Sequence, residues 1–325
     1  MAEQTPSEEA QAQSPSTMPG STTMPGSTTM PGSTTMPGST AKSLHALSVE
    51  NPGFATHPLF WTSLHLNLVG CRFQQMDDTL THLVEAPDAP YEELTNEVVA
   101  LATSNRGARP LLNDAKSPLF CTGLHLGFFY AKRRVHNPEG DVFCIKAEIH
   151  TPGDDPLVGY YQYNAEEARR NMRRPRRAPH GRNNDPVQRL YDRRVRKATP
   201  EDWRQDPYLV CLLLALGQNQ TWRNEGRYYL VHLLVTKTSD QTHAYVYKAD
   251  IPRELLECLD HPTRSMEDFD FPTIFYTKVT FKPYETFFER IMHHLVGAEY
   301  VSAGLAGIMG DDSDQPVRKA PKLDP

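Results

Sequence analysis

The sequence predicts an α+β domain: a mainly antiparallel sheet of about five strands, formed by two hairpins and one further strand, with helices packed on one side of it. Two observations support this prediction. An apolar helix pattern runs directly into an apolar strand pattern between Asp206 and Thr236. Elsewhere, short runs that alternate between apolar and polar residues, or are rich in β-branched and aromatic residues, are separated by turn residues.

The central helix is predicted from its first residues. Asp206 is a good N-cap, and Pro207 fits the first helical position because the N–H that proline lacks has no helical partner there. Every residue from 208 to 216 is apolar, which predicts a helix covered on most sides. We expect the polar residues 217–220 to end it.

A strand should follow at residues 228–235, where the composition is typical of a central strand buried on both faces. His232 is the one polar side chain in this apolar run. Because buried polar groups are normally paired, we expect His232 to be a hydrogen-bonded core residue.

The two ends of the chain have a different composition. Residues 1–50 contain four tandem copies of the hexamer Met-Pro-Gly-Ser-Thr-Thr, the last ending in Ala, which cannot bury enough apolar surface to form a core. We therefore expect a disordered tail over residues 1–50, a single domain over residues 52–300 and a flexible tail over residues 301–325.

The remaining elements are predicted from periodicity and turn residues. Before the central helix we expect helices at 77–85 and 90–103, and a first hairpin with strands at 124–135 and 141–150. In its second strand, alternate residues such as Phe143 should face the core, and those between them should form a polar face. After the central strand we expect, in order, a strand at 243–251, a helix at 252–259, a strand at 273–281 and a helix that begins after Pro283.

The polar face of the predicted strand at 141–150 is where an enzyme site could lie. A metal-dependent nuclease needs carboxylates to hold the ion and a lysine to stabilise charge on the phosphate. Asp141, Lys146 and Glu148 are the candidates, although the order of Lys146 and Glu148 is the reverse of the usual acid-x-Lys motif. A solvated face is the alternative, and we expect neither a metal nor a cofactor.

The cysteines and the lack of apolar segments indicate the cellular location. Five cysteines without a Cys-x-x-Cys pair favour a reducing compartment over a disulfide framework. The sequence has no signal-peptide or membrane-spanning pattern, so we expect a cytoplasmic or nuclear protein without a membrane partner.

The distribution of charge is the most informative global feature. Residues 169–197 hold 12 basic and two acidic residues, which leaves 22 basic and 38 acidic residues in the rest of the chain. A basic segment on an acidic body is typical of contact with a polyanion or with the body itself. The candidate binding residues are Arg169, Arg170, Arg173, Arg174, Arg176, Arg177, Arg193, Arg194, Arg196 and Lys197.

Three interpretations of this arm stay open. It could be a nuclear import signal, a weak and nonspecific nucleic-acid contact, or a solvated loop. Import predicts that replacing residues 173, 174, 176 and 177 by alanine moves a fluorescent fusion to the cytoplasm. Helices are expected within the arm, one capped by Asn164 and one beginning at Asp185.

Three stretches carry a resemblance to a known group of proteins. DPYLVCLLLALGQNQ, YLVHLLVTKTSDQTHAYVYKADIP and FYTKVTFKPYETFFERI together resemble a family of filamentous-fungal proteins of unassigned function over about residues 200–292. The resemblance implies a fungal origin and is compatible with a gene cluster for specialised metabolites. It implies no catalytic residue.

These observations lead to two expectations of function. The leading one is a non-enzymatic intracellular binding or regulatory protein that uses its arginine-rich arm to contact a protein partner or a polyanion. The alternative is a metal-dependent phosphodiesterase with a degenerate motif. The oligomeric state stays open.

Overall fold

The computed structural model describes residues 42–79, 92–104, 106–147, 156–172, 181, 184–221, 223, 225–267, 269–298 and 300. All of them lie in one unit, Thr40–Pro325. The unit includes a helix, Leu44–Glu50, that precedes the predicted domain boundary at residue 52. Residues 1–41 of the predicted N-terminal tail, the predicted C-terminal tail, the helix at 77–85 from residue 80 onward, and the C-terminal part of the strand at 141–150 lie outside the described residues. Residues 44–50 of the predicted N-terminal tail are helical instead of disordered.

The described residues form the following helices and strands. The helices are α1 (Leu44–Glu50), α2 (Ser63–Val69), α3 (Glu92–Thr103), α4 (Arg109–Leu112), α5 (Ala165–Asn171), α6 (Asp185–Ala198), α7 (Pro207–Gln220), α8 (Arg253–Asp260) and α9 (Tyr284–Leu295). The strands are β1 (Arg72–Met76), β2 (Leu119–Cys121), β3 (Phe128–Tyr130), β4 (Arg133–His136), β5 (Asp141–Ile145), β6 (Leu157–Gln162), β7 (Tyr228–Thr236), β8 (His243–Pro252) and β9 (Thr273–Thr280). The described residues also include two short 3-10 turns, at Pro58–Phe60 and Trp203–Gln205.

The α+β class is confirmed, but the sheet is larger than predicted and mixed. Seven strands lie in the order β1-β9-β8-β7-β6-β5-β2. The β1/β9 and β6/β7 pairs are parallel, and the other neighbours are antiparallel. The two edge strands gave no sequence signal, because β2 has three residues and β1, RFQQM, is polar and mostly exposed.

Helices cover both faces of the sheet, which corrects the expected one-sided packing. One face carries α7 and α8 against residues such as Val231 and Leu233, and the other carries α3 and α9 against residues such as Leu234 and Val246. A strand that is apolar on both faces, as β7 is, requires a layer on each side. The apolar residues on both faces of β7 therefore indicated helices on both sides of the sheet, whereas we predicted helices on one side.

The central helix has the predicted start and a later end. The Asp206 carboxylate accepts a hydrogen bond from the Tyr208 N–H at 2.9 Å, and Pro207 is the first helical residue. The helix continues through the polar residues 217–220, where Gln218 is buried. The Gln218 amide exchanges hydrogen bonds of 3.0 and 2.9 Å with the backbone N–H and C=O of Phe129, so α7 holds strand β3 in place.

The predicted first hairpin is wrong. Strands β3 and β4 pair with each other in a separate two-stranded sheet, whereas β5 pairs with β2 and β6. The turn between β3 and β4 uses Ala131 and Lys132 at φ values of 51° and 60°, a conformation that normally selects Gly or Asn. The predicted polar face of β5 is also wrong where it is described, because Phe143 and Cys144 are both buried, on opposite faces.

Candidate functional site

Helix α6 carries the C-terminal half of the basic arm, and one of its faces is anchored to the body. The Tyr191 hydroxyl donates hydrogen bonds to the backbone carbonyls of Arg169 and Met172 at the end of α5. Val195 and Ala198, one and two turns further along, are buried. These contacts fix the orientation of the helix on the surface.

Arg194 binds α6 to a second segment of the body, residues 56–60. Its Nη2 donates a hydrogen bond of 2.8 Å to the Thr56 hydroxyl, and its guanidinium lies 4.6 Å from the centre of the Phe60 ring. A cation over an aromatic face stabilises such a contact by about 0.5–1 kcal/mol at an exposed position. Arg194 therefore binds the protein itself.

The opposite face of α6 presents cations to solvent. Arg189, Arg193 and Arg196 are exposed, and their spacing of four and three residues aligns them on one side of a helix. With 3.6 residues per turn, that side lies opposite Tyr191, Val195 and Ala198. Among the described residues, none of these three arginines has a carboxylate partner within ion-pair distance. We call Arg189, Arg193 and Arg196 the basic face.

Other charges border the basic face. Lys197 is exposed at the last turn of α6 and lines a groove of about 680 Å³ together with Arg194 and residues 50–56. Asp192 lies on the other flank and accepts a hydrogen bond of 2.8 Å from the Gln188 amide. The border of the basic face therefore carries charges of both signs, Arg194 and Lys197 with Glu50 and Asp192.

Arg169, the first residue of the arm, is inside the protein. Its side chain has 0% exposure, its Nη2 lies 2.5 Å from Asp206 Oδ1, and its Nε donates to the Leu59 carbonyl at 2.5 Å. Burial lowers the pKa of Arg169, but Asp206 raises it by more, so the guanidinium stays charged. Arg169 is therefore not available to a partner at the surface.

A tyrosine completes this buried pair. The Tyr163 hydroxyl donates a hydrogen bond of 2.6 Å to Asp206 Oδ2, and burial and the Asp206 charge raise the pKa of Tyr163. Asp206 also caps α7. The Asp206 carboxylate thus connects α5, the end of β6 and the central helix. Arg169, as its partner in α5, has a structural role.

The other predicted arm residues divide between described and undescribed positions. Arg170 is exposed, with Nη2 4.0 Å from Glu166 Oε2 one turn earlier in α5. Residues 173, 174, 176 and 177 lie outside the described residues. Arg189, which the sequence-based set of candidates omitted, belongs to the basic face because helical spacing aligns it with Arg193.

Of the speculative enzyme residues, the two that the structure describes do not come together. Asp141 is the first residue of β5 and Lys146 follows its last residue, so the two are five positions apart along the chain. Asp141 lies 4.0 Å from the Arg109 guanidinium, and the Lys146 ammonium donates to the carbonyls of Asp114 and Ala115. Glu148 lies outside the described residues.

No group of three or more His, Cys, Asp or Glu that could hold a metal ion occurs within the described part of the chain.

His232 is a hydrogen-bonded core residue, as predicted. Its Nδ1 lies 2.6 Å from the Leu295 carbonyl, at the C-terminal end of α9. Burial, with the nearby Lys248 and His294, lowers the pKa of His232 to about 4. The imidazole is therefore neutral near pH 7.

Comparisons with known proteins add nothing to these observations: no protein-family model, curated protein or solved structure matches the chain. None of the described helices combines the length and apolar character needed to cross a membrane. The fold and the surface define an α+β protein with a mixed sheet and an anchored helix that presents a basic face.

Proposed function

We propose that this protein is a non-enzymatic binding or regulatory protein that contacts a polyanion through the basic face of α6. The observation that carries the proposal is that Arg189, Arg193 and Arg196 are exposed and unpaired within the described residues, on the side opposite the anchored one. An intracellular location, including the nucleus, and a fungal origin are further parts of the proposal, supported by the sequence alone.

The geometry of α6 suits an extended anion. From position 189 to position 196 the helix rises about 10 Å, so its three guanidiniums can reach more than one phosphate or sulfate group. Arginine offers five N–H donors in a planar fork that matches the oxygen pairs of these groups. Because the helix is already fixed on the body, binding needs to order only the side chains.

The enzymatic alternative finds less support. A nuclease site would need carboxylates and a lysine around one reaction centre. The two described candidates, Asp141 and Lys146, are five positions apart and contact other groups. We therefore propose a binding function and not a phosphodiesterase.

Salt dependence tests the proposed contact directly. Fluorescence anisotropy with a labelled DNA duplex would measure the affinity of the wild type and of the triple variant Arg189→Gln, Arg193→Gln, Arg196→Gln over a salt titration. Each phosphate contact contributes about 0.9 to the magnitude of the slope of log affinity against log salt concentration. The slope of the triple variant should therefore be smaller in magnitude by about 2.7.

A matched control separates local contact from net charge. The variant Arg72→Gln, Arg133→Gln, Arg227→Gln removes three exposed arginines from other parts of the structure and changes the net charge equally. It should keep the wild-type slope within about 0.9, the contribution of one contact. An equal loss of slope in both variants, or a wild-type affinity that is independent of salt, would contradict the proposal.

A further inference from the structure

A cavity of about 330 Å³ lies between α2, the β3–β4 hairpin and the central helix. Five aromatic side chains contribute to its wall: Phe54, Trp61, Phe128, Tyr130 and Phe271. The described lining residues include no Asp, Glu, Lys or Arg. Its volume is within the range of about 300–1,000 Å³ that is typical of small-molecule sites.

The wall of the cavity is held by hydrogen bonds rather than by loose loops. Gln218 of α7 binds the backbone of Phe129 in β3, and the Ala131 N–H donates to the Leu259 carbonyl at the end of α8 at 2.8 Å. The Trp61 indole N–H donates to the Thr56 carbonyl at 3.2 Å. The cavity is therefore preformed, which reduces the entropy that a ligand would lose on binding.

The aromatic wall favours a flat ring as ligand. Trp61 and Phe128 meet edge to face, with ring centres 5.5 Å apart and an angle of 87° between the ring planes. Such walls present both ring faces and ring edges, and aromatic ligands gain affinity from offset stacking and edge-to-face contacts. Val210 and Leu214 of α7 form an aliphatic part of the same wall.

Two polar side chains of the cavity, His65 and Tyr130, are neutral near pH 7. His65 is hydrogen-bonded through both ring nitrogens, to the backbone N–H of Thr62 and to the Gly53 carbonyl, and burial lowers its pKa. The Tyr130 hydroxyl, by contrast, has no hydrogen bond among the described residues, and burial raises its pKa, so it stays protonated. Tyr130 can therefore exchange one hydrogen bond with a bound molecule.

From these observations we infer that the cavity is a binding site for an uncharged, polycyclic aromatic small molecule that carries one hydrogen-bonding group. A charged ligand would lose its hydration in a wall without a compensating charge, which disfavours ionic ligands. This inference is independent of the basic face, because no residue of that face lines the cavity.

Two dyes with the same ring skeleton test the inference. N-phenyl-1-naphthylamine is neutral, and 8-anilino-1-naphthalenesulfonate adds a sulfonate to the same rings. Fluorescence titration of the wild type should show binding of the neutral dye at one site, with an affinity at least tenfold higher than that of the anionic dye. Absence of binding by the neutral dye, or equal affinities, would overturn the inference.

A filling variant locates the dye. Val135 lines the cavity at its rim and is 40% exposed, so Val135→Trp should occupy the cavity without disturbing the core. Val187→Trp makes the same change at a valine that is 42% exposed on α6 and does not line the cavity. We expect at least a tenfold loss of affinity for the first variant and none for the second. Equal affinity of both variants would overturn the inference.

Tyr130→Phe tests the polar contact in a variant that keeps the ring. Its affinity for the neutral dye should fall by about threefold to tenfold, as expected for one neutral hydrogen bond. A thermal melt equal to that of the wild type would show that the fold is intact. An unchanged affinity in Tyr130→Phe would remove the hydrogen-bonding group from the inferred ligand chemistry.

Discussion

Arg169 and Arg193 belong to the same basic segment of the sequence, yet the structure puts them in opposite environments. Arg169 has no exposed surface and is paired with Asp206, whereas Arg193 is exposed on the basic face of α6. A buried charge requires a partner, because leaving it unpaired costs several kcal/mol. An exposed charge has no such requirement and can bind another molecule. One run of arginines thus contains both a structural group and candidate binding groups.

The largest expected effect separates these two roles. Arg169→Met leaves the Asp206 carboxylate buried without its cation and should lower the free energy of unfolding by about 3–5 kcal/mol in a urea titration. Arg170→Met, the matched control, changes the next residue in the same helix, which is exposed, and should stay within about 0.5 kcal/mol of the wild type.

A double variant sharpens this result. If the cost arises from the unpaired Asp206 charge, Arg169→Met combined with Asp206→Asn should be less destabilised than the sum of the two single variants. Additive effects would show that Arg169 contributes through packing instead of through the ion pair.

His232 extends the comparison to a buried base that has no acidic partner among the described residues. Its pKa of about 4 lies below the ordinary value of 6.5, so the folded protein keeps it neutral while the unfolded chain takes up a proton. Its contribution to stability is therefore present above pH 6.5 and is lost as the pH falls toward 4, by roughly 3 kcal/mol.

His232→Asn should flatten part of this pH dependence, since asparagine can still donate to the Leu295 carbonyl but does not titrate. His45→Asn, at an exposed histidine of α1, is the control and should keep the wild-type profile. The free energy of unfolding measured between pH 4 and pH 7 would show the difference. Parallel profiles for the wild type and His232→Asn would contradict the prediction.

The smallest expected effect concerns the basic face itself. The triple variant at positions 189, 193 and 196 should differ from the wild type in free energy of unfolding by at most about 0.5 kcal/mol per substitution. These side chains make no ion pair among the described residues. A larger loss of stability would mean that the basic face serves the fold, as Arg169 does, and would weaken the proposed function.

Much of the fold could be predicted where the sequence carries a local signal. The apolar residues 208–216, with Asp206 and Pro207 before them, predicted α7, and the apolar run at 228–235 predicted β7. The hairpin at Ala131 and Lys132 could not be predicted, because neither residue favours the positive φ that the turn adopts. The edge strands β1 and β2 depend on partners that are distant in sequence, so their own residues gave no signal.

The site was predictable to a similar extent. A helix beginning at Asp185 was predicted within the basic segment, and it is α6. What the sequence could not show is which arginines lie inside. Arg169 is buried because Asp206, 37 residues further along the chain, caps α7 at the same place. The walls of the aromatic cavity likewise come from segments that are far apart in the sequence, so no local motif marks it.

Residue-resolved modification of arginines tests the central claim most directly. Phenylglyoxal, which reacts with accessible guanidiniums, would be applied to the native protein with and without a DNA duplex, and each site would be read by mass spectrometry. We predict that Arg189, Arg193 and Arg196 react and are protected by the duplex, while Arg169 stays unmodified in both samples. Reaction of Arg169 at the rate of the α6 arginines, or no protection of the basic face, would contradict the account.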